Sequence, residues 1–313
     1  MNNKELYKNI CSQKAEIPLF LQHWWLYAVC KDWDVAIAKK GDNVTGVWPY
    51  PIEHKINVSM IRTPMLTPYL GPHVFYPADM KESNADSFEH DTISELIAQL
   101  PAAKMWHLAL QPGLKQAGIF KNYGLEIDAK QTFLIDLLQS EATLLSNMKE
   151  NMRRNIKAAE NEISISDSTD QLATLYEYHK RTLENKKIMQ PYSLADMKGI
   201  MDACVAHNAC SLFVAKKNEA IQAIVWNVWD KTHSYYFMGA QNPAAENYKA
   251  MTALLWHTIK KSKERGNTIF DLEGSMDVGV ERFFRGFAGK RELYLVLKKN
   301  ESLIWKLKEK ILK

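Results

Sequence analysis

Two carboxylates two residues apart, Asp271 and Glu273, followed at once by Gly274, are the groups in this chain best suited to proton transfer. On a regular strand alternate positions share a face, so both acids would point the same way. Close carboxylates raise one another's pKa, which suits a group that must accept a proton near neutral pH. Gly274 permits a sharp bend into a site. Arg285 offers a permanently charged fork to a developing oxyanion or a phosphate, and an ion pair with Glu281 one turn earlier is the competing reading. Lys149, Arg153, Arg154 and Lys157 follow i, i+4, i+5, i+8 spacing and share one side of a helix, facing either phosphates or plain solvent. A helix start at Glu246, Tyr248 and Lys249 is the best phosphate cradle, because free amides and the helix dipole favour an anion there and Lys249 adds charge. Arg181 and Tyr192 flank the neighbouring helices and Tyr236 sits mid-strand, so these three are candidate substrate contacts.

The elements that must position these groups are clearest in the second half. Helical patterning is expected over 144–159, 170–184 and 193–207, the last with Ser193 as its cap. Three strands follow at 211–215, 220–229 and 233–238, joined by tight turns. A long helix over 246–265 stops at Gly266, then come a strand at 268–272, a short helix at 278–285, a strand at 292–297 and a basic amphipathic helix at 302–312. The first half gives strands at 34–38, 44–48, 105–110 and 131–137, a helix at 91–100, and a proline-rich loop over 63–72.

Composition bounds the class. The 313 residues, 46% hydrophobic and 24% charged, supply enough apolar material for two cores. A net charge of +4, carried by the C-terminal part, is too weak for a dedicated DNA binder but fits an anionic substrate, a nucleotide-bearing donor or a tRNA end. Four cysteines are too few and irregular for a disulfide framework, and Cys204, His207 and Cys210 read as buried thiols beside a histidine, with no metal expected. The polar opening and the interrupted apolar stretch over 17–30 predict neither a signal peptide nor a membrane span, hence a cytoplasmic protein.

Three ordered stretches carry a family resemblance. The strand Thr132-Phe133-Leu134-Ile135-Asp136-Leu137 leads into a helix holding Arg153-Arg154-Asn155-Ile156-Lys157. Phe270-Asp271-Leu272-Glu273-Gly274-Ser275 is a strand ending in an acidic-glycine turn. Val280-Glu281-Arg282-Phe283-Phe284-Arg285-Gly286-Phe287 matches a hydrophobic-x-x-Phe-Lys-x-Phe segment, with Arg285 in the lysine's place. Together they resemble the FemABX-like branch of the GNAT acyltransferases over most of residues 130–300. The resemblance implies an α+β fold of tandem GNAT domains, each a mixed twisted sheet flanked by helices. A degenerate copy would span 1–130, and the copy with the active site 131–313. It further implies transfer of an acyl or aminoacyl group from acyl-CoA or aminoacyl-tRNA to an amine, such as that of a peptidoglycan precursor, with Phe284 against the substrate. An acyl-CoA-dependent N-acetyltransferase of a small amine or amino sugar is one alternative. A non-catalytic binding protein of the same fold is the other, favoured by Arg285 and by a loop at 239–246 with no glycine after Gly239.

Overall fold

The structure is a computed structural model and describes residues 2–55, 58–114, 116–245, 248–274 and 276–302. The chain divides into two compact units, one holding residues up to Lys130 together with those from Leu293 onward, the other Gln131–Glu292.

The first unit opens with α1 (Asn3–Gln13) and α2 (His23–Val29), followed by β1 (Trp33–Lys40), β2 (Asn43–Pro51), β3 (Glu53–Lys55), β4 (Val58–Arg62) and β5 (His73–Val74). Then come α3 (Glu82–Ala98), β6 (Met105–Ala109) and α4 (Ala117–Asn122). β1, β2 and β5 form one small antiparallel sheet, while β4 runs parallel to β6 in another. α3 begins well before the expected position because its first turns are polar and show no apolar period; its buried face is Thr92, Ile93, Leu96 and Ile97.

The second unit follows from β7 (Glu126–Asp136) through α5 (Glu141–Asn147), α6 (Glu150–Ala159), β8 (Ser164–Asp167), α7 (Leu172–Asn185) and α8 (Leu194–Ala206). Next are β9 (Cys210–Lys217), β10 (Ala220–Trp229), β11 (His233–Gln241), α9 (Tyr248–Arg265), β12 (Ile269–Asp271) and α10 (Val278–Phe284), and the chain leaves along β13 (Lys290–Asn300). Its strands order as β7-β12-β11-β10-β9-β8, antiparallel throughout except where β11 and β12 run parallel. The β9–β11 meander, the Ser193 capping box and Gly266 in a left-handed turn after α9 lie where residue chemistry places them. α9 packs Leu255, Trp256 and Ile259 onto Phe133, Ile135, Phe270 and Leu272, closing the core beneath the site.

One expected helix is two. The stretch read as continuous over 144–159 breaks at Met148, which is extended (φ −65, ψ 154). The break is held by tertiary hydrogen bonds: Lys149 N–H donates to the Gly286 carbonyl at 3.0 Å, and the Arg153 guanidinium donates to the carbonyls of Ser146 and Met148. The helix expected over 302–312 lies outside the described residues apart from its first position.

Candidate active site

The site follows from a strand pair that stops pairing. β12 meets β11 only at His233↔Ile269, Ser234↔Phe270 and Tyr235↔Asp271. β11 continues to Gln241, whereas β12 ends at Asp271. From Tyr236 onward this side of β11 therefore borders a cleft instead of a strand. The cleft encloses about 680 Å³, with Tyr236, Gly239 and the segment Ala240–Pro243 along one wall, Phe283 and Phe284 along another, and Thr182, Asn185 and Lys186 from the end of α7.

Asp271 and Glu273 do not share a strand face, because the strand ends between them. Glu273 has φ +52 and Gly274 φ +38, both in the left-handed region. Gly274 is required there: a Cβ would lie 1.9 Å from the Gln131 carbonyl oxygen. The buried Asp271 carboxylate turns back, accepting from the Thr132 hydroxyl and, at 2.7 Å, from the Glu273 backbone N–H. It fixes the turn.

Glu273 is the electrostatic oddity. Its Oε1 is sealed from solvent with no hydrogen-bond partner among the described residues. Burial, and secondarily the Asp271 charge, push its carboxyl well above the usual carboxylate range. A shift in that direction favours the protonated form, which suits a donor where the sequence reading had expected an acceptor. The neighbouring Tyr236 phenol is raised too, by burial first and by Glu273 second. Tyr236 packs edge-on against Phe284 with centroids 5.3 Å apart. Its hydroxyl lies over Gly239, where an added Cβ would come within 1.9 Å of Oη.

Lys186 and Asp277 are the charged groups lining the cleft among the described residues, and they bind each other at 2.8 Å. Asp277 also caps α10, its Oδ1 accepting from Gly279 N–H (2.9 Å) and Val280 N–H (3.0 Å). The Lys186 bond and these amides hold the carboxyl below its ordinary range. Behind α7, the Tyr192 hydroxyl bonds His179 Nδ1 at 2.6 Å and touches Met238 Sδ at 3.9 Å. Burial takes Tyr192 up to about 12 and pulls His179 down.

The remaining sequence candidates fall as follows. Tyr236 and Phe284 line the cleft; Tyr192 sits one layer behind it, and Arg181 is exposed on α7. Arg285 is half-exposed and pairs with Glu281 at 3.8 Å, away from the lining. The basic row on α6 is split in use: Arg153 holds backbone carbonyls, Arg154 leans on Glu150 at 3.9 Å, and Lys149 and Lys157 are exposed. Glu246 lies outside the described residues, Tyr248 begins α9, and the Lys249 charge acts on Glu162. Cys204 and Cys210 are free thiols, Cys210 Sγ donating to Met201 Sδ at 3.6 Å, and the described residues contain no group of three or more metal-ligating side chains. Lys186, Asp277 and Gly239 were missed by sequence reasoning. The Asp277-Val278-Gly279 capping pattern and the glycine closing a strand were the available signals.

A parallel pair that ends part-way along β11, with a cleft beyond it, suits the GNAT fold. Residues 146–285 match the family model described as an acetyltransferase (GNAT) domain. The fold extends across the whole chain. The structure titled FemX superimposes with a TM-score of 0.65 at 13% identity, covering 99% of this chain and 98% of that one. The C-terminal domain of a putative lysylphosphatidylglycerol synthetase from Agrobacterium fabrum gives 0.56 at 13%, with 95% and 92% covered. A tandem GNAT protein from the clavulanic acid biosynthesis pathway gives 0.52 at 8%, with 88% and 86% covered. No curated relative matches in sequence. Among the described residues no helix is long and apolar enough to cross a membrane.

Proposed function

We propose that the cleft beside β11 transfers an acyl group from a phosphate-bearing acyl-CoA-type thioester to a primary amine. The observation that carries this reading is the loss of β12 pairing after Tyr235 while β11 runs on to Gln241, which leaves room for a donor carbonyl beside strand amides. The donor's phosphates would meet the segment Gln241–Ala245 and the N-terminus of α9, where amides substitute for glycines. The amine nitrogen attacks the thioester carbon, the C–S bond breaks, and the departing sulfur takes a proton. Tyr236, protonated and aimed across Gly239, is placed to supply it, with protonated Glu273 behind as a reserve. The amine must arrive neutral, its own proton leaving to solvent through the open side of the cleft.

Aminoacyl-tRNA is the rival donor, in keeping with the FemABX-like resemblance and with a cell-wall precursor as acceptor. The engagement of Arg153 with the α5–α6 corner and of Arg154 with Glu150 favours the smaller donor, since it leaves the α6 face a weak partner for a polyanion. Calorimetric titration with acetyl-CoA, and separately with charged and uncharged tRNA, tests the choice. Saturable acetyl-CoA binding supports the proposal; binding to charged tRNA alone overturns the donor assignment.

A further inference from the structure

Next to the cleft-lining Lys186 and Asp277 stand apolar side chains that are exposed among the described residues. Met189 is 89% exposed, Val278 72%, Met276 65% and Ile188 50%. They sit on two segments far apart in sequence: Ile188 and Met189 just beyond Lys186, Met276 and Val278 on either side of Asp277. The Lys186–Asp277 bond, 2.8 Å long, brings those segments together at the cleft. A cluster of this kind on a soluble surface marks an interaction site, whereas single exposed apolar residues mark nothing.

The charges around it point to one partner. Arg181, one turn before the cleft-lining Asn185, is exposed, as is Lys187 beside Ile188. Arg282, one turn after Val278 on the same face of α10, is exposed as well. None of the three enters an ion pair among the described residues; the exposed acids on and beside these segments are Glu184 and Asp277, and Asp277 is held by Lys186. Flexible apolar tips ringed by free cations are the signature of insertion into the headgroup region of an anionic bilayer. We propose that the segments 186–189 and 276–282 form a bilayer-docking surface that seats the cleft mouth on an anionic membrane, with Met189, Met276 and Val278 in the interface and Lys187 and Arg282 against lipid phosphates. The proposal concerns where the cleft is presented and holds whatever group is transferred.

The test is co-sedimentation of the full chain with vesicles of phosphatidylcholine alone and of phosphatidylcholine with phosphatidylglycerol. Wild type is expected to pellet with the anionic vesicles and to be released by salt. Met189→Asp combined with Val278→Asp should weaken that partition by roughly tenfold or more, since each removes an apolar side chain from the interface. Lys187→Glu combined with Arg282→Glu should erase the preference for anionic over neutral vesicles. Leu138→Asp is the control: Leu138 is 75% exposed but follows β7 near Ile269, at the end of β12 away from the cleft, and should partition like wild type. Equal pelleting of wild type and the double aspartate variant, or no pelleting with either vesicle, overturns the proposal. So does a wild-type dimer on gel filtration that the same variant converts to monomer while vesicles leave it unchanged, for the rim would then join two copies of this chain.

Discussion

Replacing Glu273 by glutamine isolates the buried carboxyl from every other feature of the cleft. The carboxyl's folded pKa lies well above its ordinary value, so the sign is opposite to that of most acids. Between about pH 4.3, where the unfolded chain releases this proton, and the raised folded value, the native state holds a proton that the unfolded state has lost. Stability must therefore fall as pH rises through that window, at up to about 1.4 kcal/mol per pH unit. From pH 5 to pH 7 the wild type stands to lose at most about 2.7 kcal/mol, or roughly 5–10 °C in the melting of a domain this size. Glutamine keeps the shape and has no proton to lose. Thermal melts of both proteins from pH 5 to pH 8 should start nearly together, with the variant pulling ahead as pH rises. A gap that stays constant across the series, or closes toward pH 8, would mean that the Glu273 carboxyl is ionised or solvated in the native state, and its role as a proton reserve would go with it.

Gly274→Ala should lower stability by about 3 kcal/mol, read by denaturant titration, because its Cβ meets the Gln131 carbonyl at 1.9 Å and its φ is +38. Tyr236→Phe should reduce kcat by about a hundredfold with KM for the donor little changed, if its hydroxyl protonates the leaving group. Gly239→Ala should cost a similar factor by evicting the same hydroxyl while leaving the melting temperature within a few degrees; an unaffected rate would show the hydroxyl idle. Asp277→Ala should cost about 1 kcal/mol near neutrality through the lost α10 cap. The native carboxyl is held below its ordinary range, so that contribution is present above about pH 4 and fades as pH falls through the lower folded value. The two melting curves should converge in acid.

The meander, α9 and its Gly266 stop were legible because each is announced locally, by alternation, tight-turn residues and a helix period. The α5–α6 break was not. Met148-Lys149 contains neither proline nor glycine, and the bonds that hold it come from Gly286 and from an arginine whose charge had looked like a surface feature. The acid pair stands out by residue type, but its geometry was not legible: alternation presumes a strand, and the strand ends at Asp271. Tyr236, expected mid-strand, and Phe284, implied by the resemblance, both line the cleft. The Lys186–Asp277 bond joins residues 91 apart, and no short-range pattern announces such a meeting. Gly239 owes its role to a phenol three residues earlier on its own strand, a closeness visible only once the register shift of β11 opposite Trp226/Asn227 of β10 is known.

Because the Arg153 guanidinium directs its hydrogens at the carbonyls of Ser146 and Met148, it serves as a bracket for the corner between two helices. A lysine carries the same charge but lacks the rigid planar nitrogen, Nη1, whose two hydrogens point at both oxygens, so the two residues are not exchangeable here. Dissolved ions screen a charge at a distance far better than they loosen a donor already seated on its acceptors, and this corner should keep its shape in brine where an ordinary cationic surface would go slack.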